Sequence, residues 1–78
     1  MNNRSAARPL TLAEKETENE AKRLNEQVEA ALAAVALRSP DADESLVRCA
    51  DRIERAARDL GAALRELAKQ RKAAGEER

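Results

Sequence analysis

The sequence has no histidine, phenylalanine, tyrosine or tryptophan, and only one cysteine, two glycines and two prolines in 78 residues. Each scarcity removes a class of function. Without histidine, and with Cys49 alone, the usual zinc, haem and nucleophile–base constellations cannot be assembled. No side chain is a ready general base near neutrality, so no catalytic residues, no enzyme activity and no small-molecule substrate are expected. No Gly-rich phosphate-cradling run occurs, and no cofactor-binding or metal site is predicted. The lack of aromatics removes base-stacking platforms. A single cysteine cannot form an intrachain disulfide.

Charge of one sign is also missing. Fifteen Lys and Arg balance fifteen Asp and Glu, which argues against broad electrostatic capture of DNA. No apolar run approaches the roughly 18–20 residues needed to cross a bilayer, so no membrane association is expected. The opening Met1–Ser5 carries no apolar core of a secretory signal, and a cytoplasmic location is the expectation.

What remains is a chain of helix formers. Charged residues make up 38% of it, and eighteen alanines dominate the apolar fraction. Thirteen large aliphatics (Leu, Val, Ile) are few for a self-sufficient core, so self-association or a partner is expected.

Residues 1–10 read as a flexible lead. Thr11-Leu12-Ala13-Glu14 matches a capping box, with Thr11 as cap and Glu14 reaching back to its amide. A first helix is predicted over 11–38. Ser39-Pro40-Asp41 is the only strong punctuation: Pro40 disfavours helical geometry at Ser39 and lacks a donor. Either Ser39 or Asp41, the latter with Glu44 three residues on, can cap a second helix. That helix is predicted over 41–74, with Gly75 as its C-terminal stop and 75–78 fraying. A turn over 39–41 makes the helices antiparallel neighbours.

In the second helix, Leu46, Ile53, Leu60 and Leu67 recur every seven residues, with Cys49, Ala56 and Ala63 between them. This alternating large–small pattern is the predicted oligomer core. Ala50, Ala57 and Leu64 widen the stripe, which favours a bundle over a two-stranded coil. The first helix offers Ala21, Val28 and Val35 in one column and Thr17, Leu24 and Ala31 in another. The expected fold is all-α: an antiparallel two-helix hairpin that dimerises into a four-helix bundle.

Three features bear on partners. Ala30, Ala33, Ala34 and Leu37 lie off the expected core face, and they read as a protein-docking patch or as alanine filler chosen for helix propensity. Arg48, Arg52 and Arg55 share a face, followed by Arg58, Arg65 and Lys69, either for contact with phosphates or an acidic partner or as a solvated surface with interleaved acids. Asn19, Arg23 and Gln27, with Lys22 nearby, form a polar line that could contact RNA or be ordinary surface. Cys49, at a seam position, reads as a buried, inert thiol or as one half of an intermolecular disulfide near a dimer axis.

Thr11, Glu14-Lys15, Asn19, Ala21, Asp41-Ala42-Asp43-Glu44 and Cys49 together resemble Rop-type proteins, helical hairpins that dimerise into four-helix bundles and bind paired RNA loops. The resemblance implies RNA contact through the face bearing Asn19 and Gln27. Arg23 stands where that family places an aromatic, and Ala34 where it has a lysine. Residues 24–67 are also similar in size and pattern to the hairpin co-chaperones of type III secretion needle subunits, which bind an amphipathic partner helix. The expected function is a non-enzymatic interaction protein of adaptor, inhibitor or chaperone type. It works as a homodimer and takes a protein partner through apolar helix faces, with RNA binding as the second reading.

Overall fold

The computed structural model describes residues 9–38 and 40–76. They form two helices, α1 (Leu12–Ala36) and α2 (Ala42–Glu76), of 25 and 35 residues, packed on each other as an all-α hairpin. Most of the predicted lead (residues 1–8), Ser39 with its candidate capping role, and residues 77–78 of the predicted frayed end lie outside the described residues.

The start of α1 follows from its capping box. Thr11 Oγ1 accepts from the Glu14 amide at 3.1 Å, and the Thr11 amide donates to Glu14 Oε1 at 2.9 Å. The other oxygen, Glu14 Oε2, accepts from Arg71 near the end of α2 at 2.9 Å. One carboxylate therefore caps the first helix and ties down the last turns of the second.

The ends differ from expectation. Helix α1 stops at Ala36, two residues short of the predicted 38. Leu37 is already extended (φ −74°, ψ 141°), and its amide donates to the Ala34 carbonyl at 3.1 Å. The reversal needs room on both sides of Pro40, because proline pushes its predecessor out of helical geometry. The Asp41 carbonyl accepts from Ser45 at 3.2 Å, and α2 begins at Ala42. At the far end Gly75 does not stop the helix, which runs through it to Glu76. Gly75 does not have a positive φ, and nothing lies within 4 Å of where its Cβ would be.

The seam repeats at alternating four- and three-residue steps. In α2 it comprises Cys49, Ile53, Ala56, Leu60, Ala63 and Leu67, all buried or half-buried. In α1 it comprises Ala13, Thr17, Glu20, Leu24, Gln27, Ala31 and Ala34. The predicted Thr17/Leu24/Ala31 column is therefore in place, but Ala21, Val28 and Val35 are exposed and lie outside the seam. Ala13, Glu20, Gln27 and Ala34 take that position instead. The only buried described residues are small ones, Ala34, Cys49 and Ala56. Small side chains let the two axes approach closely. Thr17 Oγ1 donates to its own helix at Ala13 (2.8 Å) and lies 3.5 Å from the Ala63 carbonyl across the seam.

Glu20 is the awkward member. Its Oε1 is buried without a hydrogen-bond partner, although the Arg23 guanidinium stands 3.4 Å away and also engages Asp59 of α2. A partly buried carboxylate that gains one poorly aligned charge contact costs more than it returns. Glu20→Leu is therefore expected to stabilise the chain by about 1–2 kcal/mol. The readout is the urea midpoint; a lowered midpoint would mean that the Glu20–Arg23 contact is a net support.

Candidate functional site

Two sides of the hairpin flank the seam, and they differ in chemistry. On one side the Gln27/Ala34 column is bordered by Arg23, Ala30 and Leu37. The facing positions of α2 are Ser45, Arg48, Arg52, Arg55 and Asp59.

Near the bend these residues enclose an open groove of ≈ 300 Å³, lined by Ala30, Ala33, Ala34, Leu37, Ser45, Arg48, Cys49 and Arg52. All four residues of the expected docking patch therefore share one groove. Ala34 is its buried floor, while Ala30, Ala33 and Leu37 are exposed. Cys49 lies beneath as a buried free thiol. A second, more polar groove of ≈ 450 Å³ continues from it through Arg52, lined also by Arg23, Gln27, Arg55 and Asp59.

The arginines are unequal. Arg48 pairs with Glu44 at 3.5 Å, and Arg23 with Asp59 and Glu20. Among the described residues, Arg52 and Arg55 have no carboxylate within 4.0 Å. The wall of the apolar groove thus carries Arg48, paired with Glu44, and Arg52, which has no ion pair. Composition alone hid this, because Asp51, Glu54 and Asp59 alternate with the arginines in sequence; none of the three lines the apolar groove, and only Asp59 lines the polar one.

Of the residues expected to touch RNA, Arg23 and Gln27 share the second groove, and the other two do not. Asn19 and Lys22 are exposed outside both grooves, Arg23 is engaged by Asp59, and Gln27 is half-buried in the seam.

On the opposite side the Leu24/Ala31 column is bordered by Ala21, Val28 and Val35. The Ile53/Leu60/Leu67 column is bordered by Leu46, Ala50, Ala57 and Leu64. This side carries the bulky apolar groups that the hairpin leaves uncovered. Leu32 is 64% exposed, Val35 69% and Leu64 50%. Of the predicted oligomer core, Cys49, Ile53, Ala56, Leu60, Ala63 and Leu67 are engaged within the chain, and Leu46 faces outward.

The chain matches no family model, no curated protein and no solved structure. The likeness to Rop-type proteins thus extends to the two-helix hairpin and has no family match behind it. Among the described residues, no group of three or more His, Cys, Asp or Glu could hold a metal ion, and no helix is long and apolar enough to cross a membrane.

Proposed function

We propose that the chain is a non-enzymatic interaction protein that self-associates and captures a protein partner through apolar helix faces. Adaptor, inhibitor and chaperone roles, including one like that of the needle co-chaperones, are forms of this reading. One observation carries it: exposed large aliphatic side chains (Val28, Leu32, Val35, Leu46 and Val47) gather on one side near the bend, with Leu64 farther along, on a two-helix hairpin whose own seam is filled mainly by small and polar residues. Dimerisation into a four-helix bundle would cover that side. The groove near the bend, with its alanine floor and arginine wall, suits a helix from a different protein. The Rop-like RNA-binding reading draws less support, since Arg23 is paired with Asp59 and Asn19 and Lys22 lie outside the groove that Arg23 and Gln27 line.

The test is affinity capture by the tagged full chain from native extract, with protein and RNA analysed separately. Leu37→Arg is expected to leave helicity and melting unchanged, because Leu37 is exposed at the end of α1, and to reduce protein capture at least about tenfold by placing an unpaired charge in the groove. Equal capture by both forms would remove the groove from the reading. Capture of RNA alone, lost steeply with added salt, would favour the Rop-like alternative.

A further inference from the structure

Three cross-seam contacts fix which residues of α1 and α2 stand at the same height: Glu14 with Arg71, Thr17 with Ala63, and Arg23 with Asp59. Heights therefore pair along the whole hairpin. Val35 and Leu32 are level with Leu46 and Ala50, Val28 with Ile53, and Glu18 with Leu64 and Arg65. On the uncovered side, the bulky apolar groups of α1 are confined to the part nearest the bend, from Val28 to Val35. Beyond Ala21 the same side of α1 carries Glu18. The uncovered side of α2 is apolar at Leu46, Ala50, Ile53, Ala57, Leu60 and Leu64, with the exposed Glu54 at its outer edge.

The chain exposes 6412 Å². A compact chain of this mass would expose about 4,700 Å². The uncovered apolar side is about 30 Å long and about 20 Å wide, on the order of 600 Å² per copy. Two such sides pressed together would bury about 1,200 Å², the lower bound for a stable specific interface.

We infer that the occupant of this side is a second copy of the chain, packed with both bends at the same end of the bundle. This rests on the self-association proposed above and assigns its geometry. Two symmetric arrangements exist. With the two-fold axis along the hairpin, α1 of one copy lies over α2 of the other at unchanged height. Val28, Leu32 and Val35 then meet Leu46, Ala50 and Ile53 of the second copy. Glu18 comes level with the second copy's Arg65 at the rim, where opposite charges match. With the axis across the hairpin, α1 lies over α1 in reverse, centred near Asn25. Glu18 then falls on the second copy's Leu32, which strips water from a carboxylate and gives it no partner. The uneven distribution of bulk along α1 therefore selects the first arrangement.

The experiment combines sedimentation with pulsed dipolar spectroscopy on the full chain carrying Cys49→Ala and Asp43→Cys, spin-labelled at the exposed position 43 beside the bend. Arg38→Cys is the second labelling site should the first variant fold poorly. The expected result is a species of twice the 8.6 kDa chain mass, with a label separation below about 30 Å, the width of a bundle plus two labels. A dimer with a longer separation, about 40 Å for opposed bends, overturns the assigned geometry and leaves self-association standing. A monomer at all concentrations overturns both, and would mean that a different protein covers this side. Leu64→Arg is expected to convert the dimer to a helical monomer, and a dimer that survives this change also overturns the inference.

Discussion

Leu60→Asp is expected to unfold the hairpin at room temperature. Leu60 sits half-buried in the seam, between the fully buried Ala56 and the Ala63 carbonyl that faces Thr17. An aspartate there removes an aliphatic contact and desolvates a carboxylate. The neighbouring acids worsen it, because Asp59 adjoins the site and Glu20 already lies in the seam without a hydrogen bond. The combined loss is about 3–5 kcal/mol, comparable with the whole stability of a chain this small. Circular dichroism at 222 nm should show lost helicity, and sedimentation should show an expanded monomer. Leu60→Ala, losing about 2–3 kcal/mol, should fall between. Unchanged melting of the aspartate variant would contradict the seam assignment.

Ala56→Leu is expected to destabilise by the opposite mechanism. Ala56 is 1% exposed, the most buried residue described, so no space exists for a larger side chain. Three added heavy atoms must either force the axes apart or drive a strained rotamer, at about 2–3 kcal/mol. For a chain of this length the melting temperature should drop by about 10 °C or more. Ala62→Leu, on an exposed position of the same helix, adds the same volume with comparable helix propensity and should change little. Equal effects at both positions would place the closest helix–helix approach elsewhere.

The contrast between these two sites shows which parts of the fold were legible in the sequence. The capping box at Thr11, the bend around Pro40 and the α2 seam were readable because each rests on local chemistry or on a clean seven-residue repeat. One column of α1 was not. Hydrophobicity points to Ala21, Val28 and Val35 as inward, whereas the hairpin turns Glu20 and Gln27 inward with Ala13 and Ala34. Apolar patterning shows that a face seeks cover but not which neighbour covers it. In α1 the Arg23–Asp59 contact and the small Ala34 settle the rotation, and both are cross-helix facts. That Ala30, Ala33, Ala34 and Leu37 line one groove was legible, since they follow helical spacing. Its arginine wall was not, because sequence neighbours suggested neutralising acids that the fold places elsewhere.

Glu14 closes the molecule in a way that ties its extremities to one another. It serves the first turn of α1 and the guanidinium of Arg71, 57 residues away in the chain. Peeling the last turns of α2 from the body therefore strips α1 of support at its beginning, and loosening that beginning releases the tail. The open end behaves as a clasp with two halves, and amide exchange should rise at both together, so that a protease able to trim one terminus gains entry at the other.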